Sequence, residues 1–370
     1  MSPGLPPDHG VGQLLLAVPF HLQAEPIIDA GDDLLLSAEH ASNLTYFAFA
    51  KAVCDTPAGP PTRASVGQLP QVLAARYQLE GLLGAGGMGA VYRARDLLHE
   101  QYGDPSPYIA IKVLSEAFAQ APDCSALLYS EFALTRHVRH DNVLRLHTFE
   151  VDPDSQHAFI TMELMRGLTL DKLLCERPQG LAWDELREIA LPLMDALAHA
   201  HARGVLHGDL KPSNVMVSED GLRLFDFGLG QAEEGVLSGL PQLSRSRFNA
   251  WTPGYAAPEL LEGQPLSARA DVFALACVLY ELAEGKHPYQ RLPSNTAREQ
   301  GLHLQLRAPR NVPKQCWPAL RAALSVDPAE RIITVQQLRD AWASTWRGWL
   351  WGLPGVRCIA HRVSKRFGRF

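Results

Sequence analysis

The chain lacks the sequence features that mark several classes of protein. Its six cysteines include no Cys-x-x-Cys pair, which argues against a zinc site or a disulfide framework and favours reduced thiols. No apolar run of about 18 residues is present, so we predict no transmembrane helix. Residues 1–8 lack the basic start of a secretory signal. Together these absences predict a cytoplasmic protein.

The composition is that of a globular protein. Hydrophobic residues make up 46% of the 370 residues and charged residues 20%, which excludes a disordered chain. The formal net charge is -6, so bulk charge does not indicate nucleic-acid binding. The length allows one large domain with two lobes and flanking segments.

The chain divides into three regions. Residues 1–76 form a segment of unassigned role, and a Pro- and Gly-rich stretch at 57–61 indicates a linker. Residues 77–345 hold the chemical motifs. Residues 346–370 contain no acidic residue and place apolar residues at helical spacing beside a basic face. This tail predicts contact with an anionic membrane; a solvated or core-docked helix is an equal alternative, and nucleic-acid binding ranks last.

Two short motifs predict phosphoryl-transfer chemistry. Residues 207–214 read His-Gly-Asp-Leu-Lys-Pro-Ser-Asn, and Asp226-Phe227-Gly228 begins twelve positions after the asparagine. One loop then carries a carboxylate, a lysine and an asparagine, and the next loop carries a second carboxylate. One carboxylate can orient a hydroxyl, while the asparagine and the other carboxylate can hold magnesium with its nucleotide.

A glycine-rich stretch with the spacing GxGxxG lies upstream at residues 84–89. Glycines let backbone amides approach phosphates because no Cβ intervenes. Dinucleotide-binding folds share the spacing but need a helix after the glycines. Here residues 90–95 alternate as a strand does, and Ala110-Ile111-Lys112 follows. This context favours a loop over nucleotide phosphates more than a dinucleotide-binding or merely flexible turn.

In this order the motifs resemble those of the bacterial eukaryotic-like (Hanks-type) serine/threonine protein kinases, over residues 77–345. The resemblance implies an α+β, bilobal protein kinase fold with a β-rich N-lobe, a helical C-lobe and ATP in the cleft. The implied reaction transfers the γ-phosphoryl group of Mg-ATP to Ser or Thr hydroxyls of protein substrates, autophosphorylation included. A pseudokinase that binds nucleotide or partners is the alternative. Ala257-Pro258-Glu259, which closes the segment after Asp226, disfavours a small-molecule phosphotransferase.

The resemblance assigns a role to each motif residue. Asp209 is the catalytic carboxylate, Lys211 contacts the γ-phosphate, and Lys112 neutralises the α- and β-phosphates. Glu131 pairs with Lys112, although an ordinary surface glutamate is a competing interpretation. The other assigned residues are the metal ligands Asn214 and Asp226, the gatekeeper Met162, and the nucleotide-binding residues Gly84, Ala85, Gly86, Gly87, Met88, Gly89, Val91, Ala110, Glu163, Met165 and Met216.

Four further assignments are structural. Glu259 pairs with Arg331 and fixes the end of the activation segment to the helical lobe. Asp271 holds the backbone of the catalytic loop, and His207 supports this loop as a core residue rather than acting as a general base. Thr252 hydrogen-bonds the catalytic carboxylate and the lysine that follows it.

The chain departs from the family pattern at two places. Gly208 stands where the family usually has an arginine that receives a phosphate on the activation segment. We therefore predict that activity depends little on phosphorylation of this segment. Alternatively, Arg245 or Arg247 could bind a phosphate on this segment in place of the missing arginine. Trp251 stands where glycine is frequent, which leaves the shape of the peptide site open.

Hydrophobic periodicity predicts the elements that carry these motifs. We expect strands at 90–95 and 108–114, a turn at 99–105, and helices at 125–138, 186–202 (with Pro192 inside) and 272–282.

Overall fold

The structure is a computed structural model that describes residues 70–86, 89–114, 122–237, 240 and 251–344. Within these ranges the N-terminal part is mainly strand and the C-terminal part mainly helix, with each type segregated along the chain. This arrangement is α+β, as predicted from the sequence.

A six-stranded antiparallel sheet forms the N-terminal part. Its strands are β1 (Val72–Leu73), β2 (Tyr77–Gly86), β3 (Gly89–Asp96), β4 (Tyr108–Leu114), β5 (Leu146–Val151) and β6 (Ala158–Met162). They lie in the order β1-β2-β3-β4-β6-β5. The strands predicted at 90–95 and 108–114 are confirmed as β3 and β4. The first strand lies before residue 77, where the kinase domain was predicted to begin.

The polar stretch after β3 contains a helix that the sequence reading missed. Helix α1 (Leu97–Gln101) covers the first part of the predicted turn. The Asp96 carboxylate accepts hydrogen bonds from the backbone N–H groups of Leu98 at 3.1 Å and His99 at 3.3 Å. This cap satisfies N–H groups that have no partner inside the helix, so the turn prediction was wrong for residues 99–101.

One long helix packs against the sheet. Helix α2 (Pro122–His137) confirms the helix predicted at 125–138. Its Leu128 and Phe132 lie in an apolar cluster with Ile160 and Met162 of β6. Glu131 lies on the same buried side of the helix, because Leu128 one turn before it and Thr135 one turn after it are buried as well.

The C-terminal part is built from helices and short strands. The helices are α3 (Leu170–Glu176), α4 (Trp183–Ala202), α5 (Pro258–Leu261), α6 (Ala268–Glu284), α7 (Ser294–Glu299), α8 (Trp317–Ala323) and α9 (Val335–Ala343). Helices α4 and α6 confirm the predictions at 186–202 and 272–282, and Pro192 lies inside α4. In the described ranges, no helix has both the length and the apolar character that crossing a membrane requires.

Short strands carry the loops between these helices. They are β7 (Gly167–Thr169), β8 (Val205–Leu206), β9 (Val215–Ser218), β10 (Gly221–Leu224) and β11 (Gln231–Ala232). One small sheet has the order β10-β9-β7, and β8 pairs with β11. The predicted catalytic loop runs from β8 to β9, and the Asp-Phe-Gly motif follows β10. Paired strand ends therefore bring the two motifs together.

Helix α6 is the centre of the C-terminal core. Every residue from Ala270 to Ala283 is buried, because the helix is apolar almost throughout. Gly285 ends it in the left-handed conformation, with φ of 71°, which a residue without a Cβ adopts at little cost. The helix offers one acidic side chain, Asp271, in its first turn.

Candidate active site

Asp271 fixes the loop that carries the predicted catalytic carboxylate. Its buried carboxylate accepts hydrogen bonds from the backbone N–H groups of His207 at 2.8 Å and Gly208 at 2.9 Å. The Nε2 atom of His201 lies 2.9 Å away. Burial alone raises the pKa of Asp271, but these hydrogen bonds and the nearby histidines hold it below its ordinary value. The predicted role of Asp271 as the anchor of this loop therefore agrees with the geometry.

Asp209 lies in a network of close polar contacts. Its Oδ2 atom is 2.6 Å from the Lys211 ammonium, and its Oδ1 atom accepts a 2.8 Å hydrogen bond from the Thr252 hydroxyl. Lys211 donates to the same hydroxyl at 3.0 Å. The Asn214 amide donates to the Asp209 carbonyl oxygen at 2.9 Å. The contacts predicted for Thr252 are present, and they hold the carboxylate in one orientation.

The second carboxylate, Asp226, belongs to a buried cluster of charges. The Lys112 ammonium lies 2.7 Å from both carboxylate oxygens of Glu131 and 3.3 Å from Oδ1 of Asp226. The predicted Lys112–Glu131 pair is present, so Glu131 is not a surface residue. Burial raises the pKa of Asp226, but the charges of Lys112 and Lys211 bring it below its ordinary value. Asp226 is therefore ionised.

His207 supports the loop through both ring nitrogens. Its Nε2 atom lies 3.1 Å from the carbonyl oxygen of Phe225, and its Nδ1 atom accepts from the backbone N–H of Asp209 at 3.2 Å. Its ring packs on Phe227 with centroids 4.7 Å apart. With no exposed surface, His207 cannot reach a substrate, which agrees with a structural role.

The glycine-rich residues form the end of a hairpin. Gly84, Ala85 and Gly86 end β2, and Gly89 begins β3. A Cβ on Gly89 would lie 2.1 Å from the Val113 carbonyl oxygen, so the neighbouring strand excludes any side chain there. A Cβ on Gly84 would meet nothing within 4 Å. Packing explains the last glycine, whereas the first borders open space in which a phosphate could lie.

The residues assigned to the adenine pocket lie on adjacent strands. Val91, Ala110 and Met162 share one apolar cluster, and Ala110 lies opposite Met162 in the sheet register. Glu163 and Met165 follow β6 in a connection between the two parts that is neither helix nor strand. Met216 lies half-buried on β9, opposite Thr169 of β7 in the sheet register. Their positions suit an adenine ring between two apolar layers, and their nucleotide-binding roles stay predictions.

The predicted metal ligands suit magnesium held together with a nucleotide. Asn214 and Asp226 offer hard oxygen donors, and Asp226 adopts the left-handed conformation with φ of 67°. In the described part of the chain, no group of three or more His, Cys, Asp or Glu side chains could hold a metal without other ligands. Magnesium commonly keeps one or two protein oxygens and takes phosphate oxygens as well, so this donor set fits a metal–nucleotide complex.

Comparison with known proteins agrees with this geometry. The family described as "Protein kinase domain" matches residues 77–343. The chain belongs to the protein kinase family. Serine/threonine-protein kinase PkaA of Streptomyces coelicolor is 32% identical to this kinase over 270 residues, 69% of this chain and 47% of PkaA. Serine/threonine-protein kinase PknE of Mycobacterium bovis is 32% identical over 274 residues, 72% of this chain and 45% of PknE.

A solved structure supports the same assignment. The kinase domain of PknI from Mycobacterium tuberculosis matches this kinase with a TM-score of 0.51 and 26% identity, covering 76% of this chain and 99% of that domain. The fold and the family predicted from the sequence are confirmed. The chain spans about half the length of the curated relatives PkaA and PknE.

Sequence reasoning missed the role of the Glu163 side chain in this kinase. The sequence analysis assigned Glu163 to nucleotide binding, and the residue lies in the hinge, the connection between the two parts that follows β6. Its Oε1 atom accepts from the backbone N–H of Arg145 at 2.8 Å and from Nε of Arg223 at 3.2 Å. Arg223 lies on β10, three residues before Asp226. One carboxylate therefore ties the connection between the two parts both to the residue before β5 and to the strand that leads to Asp226.

Removing this carboxylate is expected to weaken nucleotide binding more than turnover. In Glu163→Ala the KM for ATP should rise about three- to tenfold with kcat within about twofold, because the hinge loses two hydrogen bonds away from the reacting atoms. Steady-state kinetics with varied ATP would measure both constants. Glu176→Ala, an exposed glutamate at the end of α3, is the matched control. A KM equal to that of wild type would show that the contact does not position the hinge.

Gly208 occupies a position that admits no side chain. Its φ is +81°, and a Cβ built there would lie 2.5 Å from the Leu229 carbonyl oxygen. Substitution would require the segment after Asp226 to move. The backbone around Gly208 therefore leaves no room for the arginine that the family usually has at this position.

Several predictions concern residues outside the described ranges. Gly87 and Met88 of the glycine loop, residues 241–250 of the activation segment, and the basic tail at 346–370 are among them. Contact of the tail with a membrane, the cytoplasmic location and the role of residues 1–76 stay predictions.

Proposed function

We propose that this protein is a serine/threonine protein kinase that transfers the γ-phosphoryl group of Mg-ATP to Ser or Thr hydroxyls of proteins. The observation that carries the proposal is the contact of Lys112 with both Glu131 and Asp226. It joins residues from a strand, a helix and a loop around one ammonium group, an arrangement that suits the binding of a charged ligand. The names of the relatives PkaA and PknE support the Ser/Thr class.

The residues of the cleft can divide the work of phosphoryl transfer. Asp209 accepts a hydrogen bond from the substrate hydroxyl and orients it towards the γ-phosphorus, while Lys211 offsets charge on the transferred group. Lys112, held by Glu131, neutralises the other phosphates. A magnesium ion bound by Asn214 and Asp226 would neutralise charge on the phosphate oxygens. The transition state is loose, so positioning and charge compensation matter more than the basicity of Asp209.

A pseudokinase that binds nucleotide or a partner without turnover is the alternative. The residues assigned to catalysis are all present, and Asp209 is held by Lys211 and Thr252 in an orientation that serves a hydroxyl. A protein that only binds would gain nothing from this arrangement. The assembled carboxylate therefore favours the enzyme.

Asp209→Asn tests the proposal directly. We expect it to lower phosphate transfer from radiolabelled ATP to a generic protein acceptor about 10²- to 10⁴-fold, because asparagine lacks the negative charge that orients the substrate hydroxyl. Autophosphorylation should fall in parallel. Asparagine keeps an oxygen that can accept from Thr252, so the fold should persist.

The control for this experiment is Asp220→Asn, an exposed aspartate in the turn between β9 and β10. It should transfer phosphate as wild type does. Equal labelling by wild type and Asp209→Asn would remove the assigned mechanism. No labelling by wild type in the presence of Mg-ATP would favour the pseudokinase.

Phosphorylation of the activation segment is expected to change activity little. Replacing Ser238, Ser244 and Ser246 together with alanine should leave kcat/KM for a generic acceptor within about twofold, because Gly208 offers no guanidinium to a phosphate. The rates are compared before and after phosphatase treatment. A folded triple variant that loses most of its activity would contradict the proposal and direct attention to Arg245 and Arg247.

A further inference from the structure

Two loops meet at one side of the catalytic residues. The substrate loop, residues 252–255, packs against the arginine loop, residues 287–292. A Cβ built on Gly254 would lie 3.3 Å from the carbonyl oxygen of Arg291. At its other end the substrate loop begins with Thr252, whose hydroxyl contacts the catalytic carboxylate. The substrate loop therefore links Arg291 to the site of transfer.

The backbone of the arginine loop is fixed from within. Gln290 and Arg291 both adopt positive φ, at 54° and 58°, which is uncommon for residues with a side chain. The Nδ1 atom of His287 accepts from the backbone N–H groups of Tyr289 and Arg291, both at 3.1 Å. Burial lowers the pKa of His287 to about 3, so its ring is neutral and available as an acceptor near neutral pH. Arg291 is thus held in a defined place.

Arg291 pairs with the buried carboxylate of Glu281, while its own side chain is half exposed to solvent. Its Nη2 and Nε atoms lie 2.8 and 3.2 Å from Oε1 of Glu281. The other oxygen of Glu281 accepts from the Tyr255 hydroxyl. The Glu281 side chain is 3% exposed, whereas that of Arg291 is 52% exposed. A molecule lying on the substrate loop therefore meets the guanidinium and not the carboxylate, and guanidinium has further donors for a second carboxylate.

We propose that Arg291 selects protein substrates with an acidic residue close to the phosphorylated Ser or Thr. The inference deepens the proposed kinase function and rests on it. From Thr252 to Gly254 the chain spans at most about 7 Å. An extended peptide advances about 3.3 Å per residue, so an acidic side chain within about three positions of the acceptor can reach Arg291. A basic residue there would face a like charge.

Three peptides of equal length test this selection. Each has one serine, with acidic, glutamine or lysine residues at the three positions on either side. Wild type should phosphorylate the acidic peptide with a kcat/KM about five- to tenfold above that of the glutamine peptide, and the lysine peptide less well. In Arg291→Gln the acidic preference should fall to within about twofold, through KM, because the contact lies away from the reacting atoms. The rate with the glutamine peptide should stay within about twofold.

The control variant and the outcomes separate the two proposals. Arg298→Gln, which changes a partly exposed arginine on α7 paired with Glu262, should keep the full preference. Equal rates of wild type on the acidic and glutamine peptides would overturn the inference without any use of variants. A preference that persists in folded Arg291→Gln would also overturn it. Failure of wild type on all three peptides and on the generic acceptor would instead contradict the kinase function, and the inference would fall with it.

Discussion

Asp226→Asn should lower phosphate transfer by about a thousandfold or more while the protein stays folded. The change removes one negative charge and one hard oxygen ligand from the position assigned to magnesium, where the transferred group needs charge compensation. It keeps the volume of the side chain, and the Lys112–Glu131 pair at 2.7 Å can persist without it. The measurement is kcat at saturating ATP over a series of Mg²⁺ concentrations, in which the variant should also need more Mg²⁺.

Asp195→Asn is the matched control, because Asp195 is a partly exposed aspartate on α4 whose partner is Arg339 of α9 and not a residue assigned to the cleft. It should behave as wild type at every Mg²⁺ concentration. A folded Asp226→Asn variant with the kcat and the Mg²⁺ dependence of wild type would show that this carboxylate does not hold the metal. The test of Asp209 would then be the only support for chemistry in the cleft.

The grouping of the residues assigned to catalysis was predictable because they are close together in sequence and differ in chemistry. Asp209, Lys211 and Asn214 fall within six positions, and their types and order predicted a common part in phosphoryl transfer, which stays a prediction. Their anchor, Asp271, was predictable for a related reason. The resemblance assigned this role to an acidic residue at the start of a largely apolar helix, and a carboxylate buried there needs donors such as the loop N–H groups that it receives.

The side-chain contact of Glu163 could not be predicted in the same way. Its two donors, Arg145 and Arg223, lie 18 and 60 positions away, and neither spacing corresponds to a helix or strand repeat. Many surface arginines could have paired with it equally well. Only the packing of β10 against the residues before β5 selects these two.

The glycine loop and helix α1 show two further features that could not be predicted from the sequence. The sequence pattern treats all glycines of residues 84–89 alike, whereas Gly89 is required by the Val113 carbonyl oxygen of the neighbouring strand. Helix α1 depends on a single cap from Asp96, and a five-residue helix has no periodicity to detect. In both cases the deciding contact is one atom from another element.

Breaking the buried pair between Glu259 and Arg331 is expected to destabilise the protein strongly. Arg331 has no exposed surface, and its Nη1 and Nη2 atoms lie 2.6 and 3.3 Å from the carboxylate oxygens of Glu259. It also donates to the carbonyl oxygens of Ser325 and Arg269. Arg331→Met should therefore lower the free energy of unfolding by about 3–5 kcal/mol, because it leaves one carboxylate and two carbonyls buried without donors. Denaturant-induced unfolding would measure the change.

The reason for this cost is burial, and a second pair separates burial from pairing itself. Arg339 contacts Asp195 at 2.8 Å, but both side chains are about one third exposed. Water can replace the lost partner there, so Arg339→Met should cost less than about 1 kcal/mol. The double change Glu259→Leu with Arg331→Met should recover part of the loss, since it leaves no unpaired charge. If Arg331→Met and Arg339→Met lowered the free energy of unfolding equally, this account would be contradicted. The contribution of the Glu259–Arg331 pair would then depend on its geometry and not on its burial.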